Sequence, residues 1–504
     1  MKSRPDIILL VMDTARKKSM SVYGHGRPTT PNLERFAGEC MVYDNAISPS
    51  PWTVPAHASI FSGLYPSQHG LHSANLRYWK REYDLPGHLR RAGYRTYGLS
   101  ANSLIGDTLG FSETFDRFER LWQRFQVDGR KGAMEHHCVP CPGGKGGRFP
   151  AFTEHPADFV KSVANKLMER ALGGVMRDAT PSTVRGLGRS IGIIREHQAA
   201  RPDTPYFLFL NVLQPHEVYN PPEEYRERFA PGGGRYPGTS REHYSGKRRL
   251  SPDDFGRLTR LYEAEVAFMD FCIGRWLDAL RSLPSYGGTA VVLVSDHGEH
   301  VGEHGHLSHE FSLYQELVDV PLMVKYPGGV RPPGRDGRLV QSHDLFPTLL
   351  ELAGLEPPEP PVAPGGPGGA SVSLLTGSRD CAVSQLVDVN LWLDGLKQYH
   401  PEFDAVAFPY KTSQFACFIK EDGALYKWVG HGDGTRQVYE LDSDPGELVD
   451  VCGSLGAGTL QRIESRAADE MARLGFGRQA DARDGDGEQA DEAVTRQLRG
   501  LGYI

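Results

Sequence analysis

The chain has 504 residues, with 56 Lys and Arg against 63 Asp and Glu and a formal net charge of -7. That length buries a large core and divides into two or three structural units. A sequence pI near 6.3 leaves no basic footprint, which excludes nucleic acid as the default partner.

Met1 to Pro5 is a polar lead, too short with the run after it to supply a signal peptide's apolar region and cleavage site. Asp6 to Met12 is apolar nearly throughout and predicts a strand covered on both faces. It ends at Asp13. Ligands of open α/β sheets gather at the carboxyl ends of strands, so Asp13 is a candidate functional carboxylate. Thr30 or Asn32 is placed to start a helix carrying Leu33 and Phe36. The segment Ser48 to Gly70 centres on Thr53, whose hydroxyl lies between Trp52 and Val54, just ahead of a helix-compatible run from Ala56 to Phe61 closed by Ser62 and Gly63. Backbone N–H groups at a helix start favour an anion, so a nucleophile there faces a partly neutralised phosphate or sulfate. A lone Thr before a helix is ordinarily an N-cap or a turn residue; the residues elsewhere in the chain single this one out.

Leu85 to Ala92 is a helical pattern broken at Gly93, and Tyr94 to Ser100 is a short strand. Tyr206 to Val212 is another apolar strand, leading to Pro215 and His216. Leu258 to Leu283 predicts a helix with Leu261, Val266, Phe268, Met269, Phe271, Trp276 and Leu280 on its apolar positions. The strand from Thr289 to Val294 then delivers Ser295, Asp296 and His297, and Val320 to Lys325 and Leu339 to Leu352 add a strand and a helix. No stretch reaches the length of a membrane span.

Two regions stand apart from this βαβ alternation. Residues 120–200 are irregular and are read as an insertion beside the site, in the position of a lid; Cys138 and Cys141 with His136 and His137 are its candidate zinc ligands, without a second Cys/His pair at matching spacing. Residues 356–370 are a Pro/Gly linker. The division expected is a catalytic domain over 1–355 and a smaller subdomain over 371–504, where Phe415 to Ile419, Ala424 to Trp428 and Gln437 to Leu441 alternate like an antiparallel sheet. The acidic stretch from Gln479 to Glu492 is expected to be mobile and Leu498 to Ile504 to dock back. The seven cysteines are odd in number and scattered, which suits reduced thiols and a cytoplasmic protein.

The segment SDHGEHVGEHGHLSHE carries His297, His300, His304, His306 and His309. His300 and His304 are expected in a solvated turn. Asp296 and His297 end a buried strand as Asp13 does, and two carboxylates, one imidazole and the Thr53 hydroxyl can surround a divalent cation that lowers the hydroxyl's pKa. Imidazole among oxygens favours zinc or manganese, and magnesium or calcium remain compatible.

A longer series of blocks carries a family resemblance. Asp13-Thr14-Ala15-Arg16, Tyr23-Gly24, Thr30-Pro31-Asn32-Leu33, Thr53-Val54-Pro55-Ala56-His57, Gly63-Leu64-Tyr65-Pro66, Pro215-His216, Ser295-Asp296-His297-Gly298-Glu299, Asp344-Leu345-Phe346-Pro347-Thr348 and Tyr439-Glu440-Leu441 with Asp444, Pro445 and Glu447 occur in order along nearly the whole chain. Together they resemble the sulfatase family of the alkaline phosphatase superfamily. The resemblance implies an α/β fold, a large mixed central sheet flanked by helices, followed by a smaller C-terminal antiparallel sheet with a helix. It places metal ligands at Asp13, Asp296, His297 and Thr53, and the nucleophile at Thr53. Typical members carry there a Cys-x-Pro-x-Arg motif whose Cys becomes formylglycine; Thr53 and His57 stand at those two positions, so formylglycine chemistry is ruled out and Thr53 resembles the phosphoryl-transferring branches instead. His57, His216 and His309 are the remaining catalytic candidates, His309 where members often carry Lys, and Arg16, Asn75 and Asn102 are the substrate-binding candidates. The implied activity is hydrolysis of a small anionic phosphoester through a Thr53 intermediate. The alternatives are sulfate-ester hydrolysis, phosphoryl transfer to an alcohol, and a non-catalytic ligand-binding homologue. An oligomer is compatible with this reading.

Overall fold

The structure is a computed structural model that describes residues 4–73, 75–78, 83–122, 182–232, 236–359, 362–363, 366–367 and 371–476. Cys138, Cys141, His136 and His137, the acidic stretch and the C-terminal apolar end lie outside the described residues.

Asp6–Met12 forms β1, buried at every position, as its apolar sequence requires. Chain order then gives β2 (Met41–Ile47), β3 (Arg95–Ser100), β4 (Arg117–Arg120), β5 (Tyr206–Val212), β6 (Thr289–Ser295), the short pair β7 (His300–Val301) and β8 (Leu307–Ser308), β9 (Leu322–Lys325) and β10 (Gly334–Gln341). Eight of these make one sheet in the order β10-β2-β9-β6-β1-β5-β3-β4. β1 pairs parallel with β5 and β6, and β9 pairs antiparallel with β2 and β6, so the sheet is mixed through this one reversed strand. The central strands are apolar on both faces because helices cover both. The 30-residue helix Pro252–Arg281 begins in a Ser251/Asp254 capping box and buries Leu261, Val266, Met269, Trp276 and Leu280.

Several sequence expectations need correction. Phe271 points outward, 45% exposed, off the buried stripe of that helix. Leu339 to Leu352 divides into the end of β10 and a helix over Leu345–Leu352. The region expected to be irregular ends in a 19-residue helix, Ser182–Ala200. His300 is 1% exposed and donates or accepts at Ser312 Oγ (2.8 Å), and the half-buried His304 ring stacks on Tyr314 at 3.8 Å, so neither lies in a solvated turn.

In the Pro/Gly stretch, β11 (Val362–Ala363) pairs with β12 (Gly366–Pro367). The smaller antiparallel sheet follows as β13 (Cys381–Leu386), β14 (Gln414–Glu421), β15 (Ala424–His431) and β16 (Arg436–Glu440), backed by the helix Ala457–Leu474. Its docking onto the larger unit explains one sequence block. Glu447 is buried against Lys427 and accepts from the Gln315 N–H, and Lys427 Nζ also donates to the Leu313 carbonyl. Asp344 accepts from Arg379 and from the Val372 N–H, tying the two units a second time.

Candidate functional site

The register of the central strands assembles the site. Met12 pairs with Ser295 and with Val212, so the residues that follow, Asp13 and Asp296, leave adjacent strands side by side. Thr14 takes φ 57°, a left-handed conformation costly for a β-branched residue. Its N–H donates to Asp296 Oδ1, and the Tyr262 hydroxyl donates to its carbonyl (2.7 Å). Ser295 Oγ fixes the other turn, bridging the carbonyls of Met12 and His297. Gly298 follows because nothing larger fits: a Cβ there would lie 1.9 Å from the Glu316 carbonyl oxygen.

Thr53 is the first residue of the helix Thr53–Ser62, all of it buried, and Trp52 occupies the cap position. Its Oγ1 lies 3.1 Å from His297 Nε2. His297 Nδ1 donates to the Gly298 carbonyl (2.9 Å), which leaves Nε2 as the acceptor atom turned to Thr53. Ligand atoms of Asp13, Asp296 and His297 all lie within 4.8 Å of one another.

The cage fits a cation. Asp13 Oδ1 and Asp296 Oδ2 are buried and lack a hydrogen-bond partner among the described residues, although their sister oxygens are bonded. Burial pushes the Asp13 carboxyl up against the opposing pull of His216, and burial together with the Asp13 charge pushes Asp296 well above the usual carboxylate range. Burial and the neighbouring His309 hold His297 well below the ordinary histidine value, as a neutral ligand requires. A divalent ion between these groups would reverse the two carboxyl shifts.

The structure brings most of the sequence candidates to this cage. Asn102 Nδ2 donates to Asp13 Oδ2 at 2.8 Å. His57 Nδ1 donates to the Thr53 carbonyl (2.9 Å) and lies 3.4 Å from Asp296 Oδ2, and burial lowers its pKa to about 4. His216 Nδ1 donates to the Glu217 carbonyl; burial resists its charge, but Asp13 and then Glu299 raise its pKa overall. His309 Nδ1 donates to Glu299 Oε1 at 2.9 Å, and its ring lies 4.4 Å from that of His297 and 5.4 Å from that of His216.

Two candidates have other partners. Arg16 is 2% exposed and paired with Glu303 through contacts of 2.5 and 3.4 Å. Asn75 closes a turn, pairing with His72 through its backbone and donating to the Gly70 carbonyl through its side chain. Sequence reasoning gave no role to Asn211 or Glu299. Asn211 lies 3.5 Å from His57 Nε2 and accepts from the Asn102 N–H; its signal was a lone polar residue inside the apolar strand YFLFLNV. Glu299 is fully buried, and burial raises its carboxyl to about 8.

A family model described as Sulfatase matches residues 5–355. The uncharacterized sulfatase YidJ of Escherichia coli (strain K12) is 27% identical over 459 residues, 88% of this chain and 82% of that protein. The phosphonate monoester hydrolase of Agrobacterium radiobacter shares the fold with a TM-score of 0.62 and 20% identity, covering 94% of this chain and 96% of its own. A structure solved in complex with its substrate D-glucosamine-2-N,6-O-disulfate gives a TM-score of 0.66 at 16% identity, covering 95% and 100% of the two chains. Among the described residues no helix is long and apolar enough to cross a membrane. The chain belongs to the sulfatase family and is a hydrolase of ester bonds.

Proposed function

We propose that the protein hydrolyses small anionic phosphoesters through a covalent intermediate on Thr53. The observation that carries this reading is the Thr53 hydroxyl itself, buried at a helix N-terminus and 3.1 Å from His297 Nε2. Asp13, Asp296, His297 and Thr53 would hold a divalent cation, zinc or manganese for preference and magnesium or calcium as alternatives, which would supply a lowered hydroxyl pKa and charge neutralisation.

The chain's own groups supply the rest. Thr53 Oγ1 attacks phosphorus in line, and the bond from phosphorus to the ester oxygen breaks. His216 or His309 gives the proton to the departing oxygen, and His309 is held in place by its Nδ1 donating to Glu299. Water then attacks the phosphothreonine and Thr53 departs. An alcohol in place of water gives transfer instead, with the same machinery. A sulfated Thr53 has no second hydroxyl on its carbon to expel sulfate, which favours phosphorus over sulfur.

Charge narrows the substrate. Arg16, Lys17 and Lys18, the cations next to Asp13 in sequence, are paired with Glu303, Asp319 and Glu316. Arg16, Lys17 and Lys18 are thus committed to carboxylates, and the imidazoles of His57, His216 and His309 are the groups beside Thr53 and the cage that would meet the substrate's anion, an arrangement suited to singly charged diesters and phosphonate monoesters. Rapid quenching followed by peptide mapping tests the intermediate: phosphate on Thr53 is expected with an aryl phosphodiester. Faster turnover of aryl sulfates than of aryl phosphodiesters, phosphonate monoesters and phosphomonoesters alike overturns the reading.

A further inference from the structure

Seven cysteines scattered in sequence need not be scattered in space. Cys381 opens β13 and Cys417 lies mid-way along β14; Cys381 pairs across the ladder with Ile419, and Cys417 with Val383. Residues two apart on one strand share a face, so the two thiols form a diagonal pair on the same side of the smaller sheet. Their sulfurs lie 2.9 Å apart, in direct contact. The face is the one packed on Ile463, Ala467 and Leu474 of the C-terminal helix. Cys417 is fully buried and Cys381 is partly exposed, so Cys381 is the more accessible of the two. Cys40 and Cys272, by contrast, are buried in the main core.

We propose that Cys381 and Cys417 are a dithiol modification site that closes reversibly to a cross-strand disulfide by exchange with small-molecule disulfides such as oxidised glutathione. The Cys381 thiolate attacks one sulfur of the small disulfide, forming a mixed disulfide and releasing the first small thiol. Cys417 then loses its proton and attacks the Cys381 sulfur, expelling the second small thiol. Two protein thiols lose two electrons in all, one small disulfide gains them, and the two protons leave on its two thiols. The order of attack follows from accessibility, and burial, which pushes the Cys417 thiol up, acts in the same direction.

The bond would brace the wall beside Thr53. The chain between the two cysteines carries Trp392, 2% exposed and edge-on to Trp52 at 5.1 Å, and Trp52 precedes Thr53. Within β13 the Gln385 N–H donates to the Pro49 carbonyl, and the Gln385 side chain accepts from the Ser67 N–H, so the first cross-linked strand grips both ends of the Thr53 segment. Closing this loop removes unfolded-state freedom and leaves the native contacts in place, so the effect falls on stability and not on the chemistry.

The test holds the full chain in a series of reduced and oxidised glutathione mixtures, alkylates the remaining thiols and maps the peptides. The expected result is one linked peptide pair containing Cys381 and Cys417, reversed by reductant, with Tm higher in the oxidised form by about 3 °C. Cys381→Ser, a change at the partly exposed position, should abolish both the linked pair and the Tm difference. Both thiols staying open to alkylation in excess oxidised glutathione, or a Tm difference that persists in Cys381→Ser, overturns the proposal. Neither readout depends on which ester the enzyme cleaves.

Discussion

Arg16→Met separates two roles that the sequence alone left merged. Arg16 follows Asp13 by three residues and is a natural candidate to bind a substrate anion, yet its guanidinium is committed to Glu303, with side-chain exposures of 3% and 23%. Burial alone would raise the Glu303 carboxyl; Arg16 is the main reason it is instead lowered from 4.5 to about 2. At about 1.4 kcal/mol per pKa unit, that shift corresponds to roughly 3 kcal/mol of folding stability, within the range for breaking a buried ion pair from one side. A group whose folded pKa is depressed contributes fully above its unfolded value and loses the contribution as it is protonated. The gap between wild type and Arg16→Met should therefore be about 3 kcal/mol at neutral pH and shrink as pH falls below about 4.5 toward 2. Urea unfolding at pH 7.5 and pH 4 measures it, with kcat and KM taken on the same preparations. kcat/KM at pH 7.5 should change by less than about threefold. A KM raised tenfold with unmoved unfolding curves would refute the structural assignment and return Arg16 to the substrate.

Asp13→Asn and Asp296→Asn should each lose the tightly held divalent metal by elemental analysis, and unchanged content in both would remove them from the ligand set. His216→Ala should slow esters with poor leaving groups more than activated aryl esters, since protonation matters most for a basic leaving oxygen; equal losses would leave it a binding role only. Gly298→Ala should destabilise the fold by about 2 kcal/mol or more and lower metal content, because the new methyl meets the Glu316 carbonyl and must displace the turn that holds His297. Normal metal content and an unchanged unfolding midpoint would contradict that packing.

The legible parts of the fold were those where one physical requirement dominates a segment. β1 must be apolar on both faces, so DIILLVM announced itself and marked Asp13 as the residue at its end. The strand TAVVLVS did the same for Asp296. β10 was missed because its sequence, GRDGRLVQ, is exposed at the start and pairs on one side only, at the sheet edge. The helix Ser182–Ala200 was missed because it carries three glycines, which weaken a helical pattern. One has a packing reason: a Cβ at Gly186 would lie 2.4 Å from Leu121 Cδ1, so the glycine lets the helix approach the sheet. His300 was misplaced because the sequence shows a polar loop but not the Ser312 hydroxyl and the His306 ring that let an imidazole be buried. Asn211 showed itself only as a polar residue inside the apolar strand YFLFLNV, and its partners Asn102 and His57 lie far from it in the chain, so no local pattern gave it a role.

The reversed strand explains how Thr53 reaches carboxylates that belong to other strands. β2, which precedes Thr53, is two strands removed from β6 and three from β1, with β9 next to it. A parallel strand at the β9 position would end on the site side of the sheet and send its own crossover through the space above. Because β9 runs the other way, that side carries its entrance instead, the segment Val318 to Pro321, which lies flat enough to pair with the end of β2: the Ser48 N–H donates to the Val318 carbonyl and the Val320 N–H to the Ala46 carbonyl. Ser48 continues the reach by donating its hydroxyl to the Asp296 carbonyl, and the chain arrives at Trp52 already fixed relative to Asp296 and His297. The position of Thr53 is thus set by hydrogen bonds along the rim of the sheet and not by the helix it begins, so its distance from His297 is a property of the strand order.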